Sequence, residues 1–288
     1  MITVQNLRWR YKSFQLQIEE LELRKGITLL VGNNGAGKTT FLHLLATAKR
    51  PLAGQIYYDK KTIEKDLPTI RGKIGFVPTG LELYQDYTVK KLLLYLAQLK
   101  GLSKPFAEKQ ISNLLKTFHL FDVADSKIKK LSQGMQQRIA LIQAFLGRPK
   151  YIILDEPLNF LDIHERKTLI QYLHSISQST AIIVATHELN EWEHVCDAVL
   201  WIYNGGVAFY GSAIQWKYTN SSLLWIGTVP EEDMEKYFSS FHTLSAKRIG
   251  RDKMELKCLS DHCPSPLFQQ AYPTMEDALF VRKANIEG

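Results

Sequence analysis

The chain has 288 residues, a formal charge of +7, and 45% hydrophobic and 23% charged residues. That length suits one large domain with a smaller companion, and that balance is ordinary for a globular chain rather than a disordered or fibrous one. Apolar runs such as Leu92 to Ala97 are far shorter than the ~18–20 residues that cross a bilayer. The start, "MITVQNLRW", lacks a secretion pattern, and the cysteines Cys196, Cys258 and Cys263 form no disulfide framework. The basic residues make no run of five or more and are not interleaved with aromatics, so no nucleic-acid partner is expected.

Residues 2 to 24 alternate in part. Phe14, Leu16 and Ile18 face one way and Leu21 and Leu23 continue the trend, which predicts antiparallel strands. "GITLLVG" predicts a buried strand. Beyond the loop that follows, Phe41, Leu42, Leu44, Leu45 and Ala48 share one helical face. Residues 86 to 148 read as mostly helical, with breaks at "GLSKP" and near Lys129. "YIILD" and "AIIVAT" are further buried strands. The helix between them turns Leu169, Ile170, Leu173 and Ile176 inward. "AVLWIYNGGVAFYG" reads as a hairpin, because Asn204-Gly205 favours the turn it needs. Buried strands alternating with helices predict an α/β fold with a mostly parallel sheet, and the helical stretch at about 86–148 reads as an insertion. The pattern changes near residue 215. Residues 216–288 read as a small α+β appendage to a domain at 1–215: "LLWIGTV" as strand, Glu231 to Ser240 as helix, "KMELKCL" as strand.

Two short stretches carry chemistry. "GNNGAGKT" is Gly32, Asn33, Asn34, Gly35, Ala36, Gly37, Lys38 and Thr39, and it fits G-x-x-x-x-G-K-[ST] between a predicted strand and a predicted helix. Glycines let the backbone wrap a phosphate, and a helix start adds its positive end. Lys38 is placed to reach the β- and γ-phosphates of a nucleotide, and the Thr39 hydroxyl to bind Mg²⁺. "YIILDEP" then ends an apolar strand on two acids, which is costly unless they serve a cation or a proton transfer. Asp155 suits Mg²⁺, and Glu156 suits acceptance of a proton from an attacking water. "LSQGMQQR", residues 131 to 138, is a second helix start fit for an anion, about a hundred residues further on. "CLSDHC" groups Cys258, His262 and Cys263 but offers no fourth ligand for zinc, so it reads as a loop after a strand.

Together these stretches resemble the nucleotide-binding subunit of ATP-binding cassette (ABC) transporters, a branch of the P-loop nucleoside triphosphatases. "LSQGMQQR" is similar to the family signature, "NFLD" (Asn159 to Asp162) to its D-loop, His187 in "ATHEL" to its switch histidine, and Tyr11 to its adenine-stacking aromatic residue. The resemblance covers about residues 1 to 215. It implies ATP and Mg²⁺ as cofactors, nucleotide contacts from Tyr11, Gly32 to Thr39 and Thr40, catalysis by Lys38, Glu156 and His187, and Mg²⁺ at Thr39 and Asp155. It also explains the second helix start. Two cassettes of the family meet head to tail, so Ser132, Gly134 and the backbone near Met135 would contact the nucleotide of the partner cassette. A polytopic membrane permease is the other implied partner, docking around Tyr84 to Lys91, with the chain peripheral on the cytoplasmic side of the membrane. The ending "PTMEDALFVRKA" resembles cassettes of antibiotic, peptide or lipid exporters. The chain departs from the family in "IGFVPTG", where Thr79 replaces a glutamine that touches Mg²⁺ or the attacking water, and Gln85 is six residues on. Weaker Mg²⁺ coupling is the expectation there. A soluble cassette acting on ribosomes or DNA, and a regulatory nucleotide binder that hydrolyses little, are the alternatives.

Overall fold

The computed structural model describes residues 1–218 and 223–287. Their packing forms two units, Met1–His187 with Val195–Tyr210, and Glu188–His194 with Gly211–Gly288. The sequence reading divides the chain at 215/216; the packing groups Gly211 onward with the short segment Glu188–His194.

The first unit begins with β1 (Ile2–Tyr11) and β2 (Phe14–Leu23), paired antiparallel. Leu16 and Ile18 are buried on β2. The alternation then changes phase towards Leu21 and Leu23, opposite Asn6, whose φ is 47°. β3 (Gly26–Val31) is buried along its whole length and delivers the chain to the phosphate loop. α1 (Lys38–Leu45) follows and buries Phe41, Leu42, Leu44 and Leu45. It stops there, so Ala48, expected on the same face, lies outside it and is exposed. β4 (Ala53–Tyr58), β5 (Lys61–Thr62), α2 (Ile63–Gly72) and β6 (Ile74–Val77) come next. β4 and β5 join β1 and β2 in a four-stranded antiparallel sheet ordered β2-β1-β4-β5.

The helical insertion comprises α3 (Val89–Leu99), α4 (Lys104–Thr117) and α5 (Gln133–Phe145). β7 (Tyr151–Asp155), α6 (Ile163–Ser177), β8 (Ala181–Ala185), β9 (Ala198–Tyr203) and β10 (Gly206–Ser212) complete the central sheet, ordered β10-β9-β3-β8-β7-β6. β3, β6, β7, β8 and β9 run parallel. β7 and β8 are buried throughout, as the continuous apolar runs require. Asn204 and Gly205 both have positive φ, 48° and 78°, which closes the tight turn between β9 and β10. Parallel strands point their C-terminal ends the same way. The sheet therefore gathers the loops after β3, β6, β7 and β8 at one edge.

In the second unit, α7 (Ala213–Tyr218), β11 (Leu223–Pro230), α8 (Met234–Ser240), β12 (His242–Arg248), β13 (Lys253–Ser260), β14 (Phe268–Ala271) and α9 (Met275–Glu287) build an antiparallel sheet ordered β12-β13-β11-β14 with helices. Val229, Tyr237, Met254, Leu256, Cys258 and Phe268 form its core, so Cys258 serves packing. The expected helix from Glu231 begins as a 3-10 turn over Glu231–Asp233 before α8.

Candidate functional site

The loop Gly32–Gly37 leaves a buried strand and enters α1 through Gly37, which has φ 109°. Gly32 has φ 154°, and a Cβ there would stand 2.3 Å from the carbonyl oxygen of Ile202, so only glycine lets the loop pass β9. The Ala36 N–H donates to the Asn33 carbonyl at 3.1 Å and folds the loop on itself. Lys38 extends back along the loop, and its ammonium donates to the carbonyls of Gly32 at 2.7 Å and Asn33 at 3.2 Å. Thr40 follows Thr39 on α1, half-buried.

Thr39 and Asp155 are 116 residues apart in sequence, and the sheet brings them together: the Thr39 hydroxyl donates to Asp155 Oδ2 at 2.9 Å. Asp155 is buried at the end of β7. The next residue, Glu156, has φ 50° and donates its N–H to the Ala185 carbonyl at 2.8 Å. This left-handed step turns the chain away from the strand direction right beside the loop. The Glu156 carboxylate, 19% exposed, meets His187 Nδ1 at 2.9 Å, while His187 is 71% exposed. His187 follows β8, the neighbour of β7, so adjacent parallel strands place this pair. Thr79, after β6, approaches the Asp155 backbone carbonyl at 3.5 Å rather than the carboxylate. Gln85 donates to the Leu83 carbonyl and to Gln136 Oε1 at 3.3 Å, so it is committed to the signature helix instead of replacing the missing glutamine.

Tyr11 is 61% exposed, and its ring stacks on Trp9 with centroids 6.2 Å apart. A cleft of about 490 Å³ beside the loop is lined instead by Phe14, Tyr203, Asn33, Asn34 and Gly35. Phe14 and Tyr203 thus flank the loop, and sequence reasoning assigned them only to strands. Their alternation signalled burial, and nothing in it signalled a cleft. His43 lies one turn along α1 from Thr39. Burial, helped by Lys49, lowers its pKa, and Asp155 opposes that shift.

The signature stretch is held separately. Ser132 caps α5, its Oγ accepting the Met135 N–H at 3.2 Å. A Cβ on Gly134 would stand 2.6 Å from the Phe160 carbonyl oxygen, so the D-loop backbone presses directly on the signature glycine. Gln137 donates to the Pro157 carbonyl at 3.3 Å, and buried Arg138 pairs with Glu165 at 2.7 Å. Glu165 also completes a capping box with Asp162 at the start of α6. Hydrogen bonding to the Glu165 N–H holds the Asp162 carboxyl below its usual range. Gly134 and Gln137 therefore pack on the segment after β7, and the phosphate loop packs on Asp155.

A phosphate loop between a buried strand and a helix, with its threonine on a strand-end aspartate, defines a P-loop nucleoside triphosphatase. A family profile described as ABC transporter matches residues 16–159. The chain is 34% identical over 203 residues to the ABC transporter ATP-binding protein YxlF of Bacillus subtilis, covering 70% of this chain and 67% of that one. It is 32% identical to the phospholipid-transporting ATPase ABCA3 of Rattus norvegicus over 67% of this chain, but spans only 11% of that long protein. A solved ATP-binding subunit of an ABC transporter superposes with TM-score 0.70 at 26% identity, over 75% of this chain and 91% of that one. A dimeric cassette in a post-hydrolysis state bound to ADP and Pi superposes with TM-score 0.65 at 23% identity, over 74% and 99%. The chain belongs to the ABC transporter family: it is an ATP-binding subunit and an ATPase.

Proposed function

We propose that this chain powers a separately encoded membrane permease, in the export direction, by closing with a second cassette around ATP. The observation that carries this is the paired cluster at one sheet edge, Thr39 on Asp155 and Glu156 on His187. Among the described residues no helix is long and apolar enough to cross a membrane; in this reading the chain sits peripherally on the cytoplasmic side and the permease spans the membrane. ABCA3 of Rattus norvegicus and ABCA4 of Homo sapiens are named for phospholipid transport, which supports work on a membrane transporter.

Thr39 and Asp155 fit a hard divalent cation, since their two oxygens lie 2.9 Å apart and one belongs to a buried carboxylate. Mg²⁺ there would neutralise charge on the β- and γ-phosphates. Lys38 exchanges its two loop carbonyls for phosphate oxygens. Glu156 accepts a proton from the attacking water, and His187 orients it through Nδ1. That leaves Nε2 of the exposed His187 ring to reach a terminal phosphate. Tyr11, or Phe14 and Tyr203 beside the loop, would take the base.

Pairing of two cassettes is supported by Ser132. Its Oγ already accepts the Met135 N–H, so its O–H remains to donate to an anion, at the positive end of a 13-residue helix. The docking surface for the permease is supported by Tyr84, Tyr87 and Tyr95, three exposed rings whose centroids lie 5.7–6.4 Å apart. From there Gln85 reaches Gln136 on the signature helix, which offers a physical link between docking and nucleotide contact.

The test is turnover by Glu156→Gln. The expected result is a fall of roughly 10²–10⁴-fold with ATP binding retained. Unchanged turnover would contradict the assignment.

A further inference from the structure

A second cleft, of about 470 Å³, opens in the first unit between α4, the end of α5, the start of β7 and α6. It lies at the opposite end of the sheet from the nucleotide cluster: it touches Ile152 and Thr180, at the beginnings of β7 and β8, whereas Asp155 and Ala185 end those strands. Its volume falls within the ~300–1,000 Å³ of small-molecule sites. Leu114, Phe145, Ile152 and Ile176 give it an apolar floor.

Gln110, Asn113, Thr117, Ser179 and Thr180 add neutral polar groups, and the charged groups around that floor are of one sign. Among the described residues Arg148 and Lys150 line the cleft and no carboxylate does. Lys150 pairs outside it with Asp59 at 3.4 Å. Arg148 has no acidic partner among the described residues; its guanidinium rests 5.8 Å from the Phe106 ring centroid. Tyr172 packs its ring on Phe118 and Phe145, with centroids 5.4 and 4.8 Å away, yet its hydroxyl has no hydrogen-bond partner among the described residues. Burial pushes that hydroxyl up in pKa, and the nearby Arg148 charge pulls the other way. An unpaired guanidinium and an unpaired phenol beside an apolar floor are complementary to a carboxylate carrying a hydrocarbon body. They do not fit a polyphosphate, which needs more cations and a ring of backbone N–H groups, nor a metal ion, which needs acids.

We propose that this cleft is a binding site for a small amphiphilic organic acid, its carboxylate held by Arg148 and the Tyr172 hydroxyl and its chain lying on Leu114, Phe145, Ile152 and Ile176. Such a ligand bridges the helical insertion, through α4 and α5, and the core, through β7 and α6.

The experiment titrates the full-length purified chain with octanoate by calorimetry, with octanol and octylamine as uncharged and oppositely charged probes. The expected result is saturable binding of one octanoate per chain, with both controls weaker by about tenfold or more, the worth of a charge-assisted hydrogen bond. Arg148→Gln should weaken octanoate about tenfold and Tyr172→Phe a few-fold, with binding of a fluorescent ATP analogue unchanged as the check on folding. No saturable octanoate binding by the wild-type chain, equal binding of octanol, or full octanoate affinity in both variants would each overturn the proposal.

Discussion

The phosphate loop and the signature stretch of the first unit are built on different plans. The loop Gly32–Thr39 is tied to the strand end that serves it: Thr39 bonds Asp155, and Lys38 bonds the loop itself. The signature around Ser132 and Gly134 makes its contacts with the segment after β7, through Phe160, Pro157 and Glu165. One region is complete within its own chain. The other is braced from behind, and Ser132 at its helix start is exposed, its Oγ accepting only the Met135 N–H among the described residues. That difference is what a shared site between two cassettes needs.

The largest effect expected on this comparison comes from Glu165→Leu. It leaves Arg138 buried without its carboxylate and dismantles the capping box at Asp162. Denaturant unfolding should show a loss of about 3–5 kcal/mol. Lys100→Met acts at the other end of α5, where the lysine donates to the Leu146 carbonyl at 3.1 Å. Burial lowers the Lys100 pKa to about 8. Below about pH 8 the folded chain holds a buried charge that the unfolded chain holds in water, so the wild type gains stability as pH rises from about 8 towards ~10.5. The variant should therefore be more stable at pH 7, by about 1–2 kcal/mol after the lost hydrogen bond, with the gain shrinking above pH 8 in a chemical-denaturation series. Ser132→Ala should cost about 1 kcal/mol of helix capping and reduce turnover about tenfold. It should leave nucleotide affinity of the isolated chain unchanged, because that affinity belongs to the loop. A parallel loss of single-chain affinity would break the comparison. The smallest effect is Thr79→Gln, which extends the side chain past the Asp155 carbonyl and should raise permease-stimulated turnover. An unchanged or lower rate would remove Thr79 from the account.

Much of the first unit was legible because its strands are buried along their whole length and read as apolar runs: β3, β7 and β8 are the clearest cases. The phosphate loop announced itself by fixed glycines, and the hairpin by Asn204-Gly205. What escaped reading lacks such periodicity. α2 carries Pro68 and a non-helical Asp66, with φ −152° and ψ 47°, and so presents no clean helical stripe. β12 is mostly exposed and shows no alternation of burial, and β14 is short. Among functional groups, the 2.9 Å contact of Glu156 with His187 and the commitment of Gln85 to Gln136 depend on which loops the sheet gathers, which no local pattern encodes. Gly134 is instructive: its sequence suggested room for an anion, and its place against the Phe160 carbonyl gives a second reason that only glycine fits.

The central claim, that the loop and the signature belong to two different sites, is tested most directly by mixing two inactive chains. Lys38→Ala disables the loop and keeps the signature; Ser132→Glu keeps the loop and sets a negative charge where an anion would dock. If each loop works with its partner's signature, the mixture contains pairs with one intact site, and its ATP turnover rises above that of either chain alone. If both elements serve the nucleotide of their own chain, the wild type turns over and the mixture stays as inactive as its components.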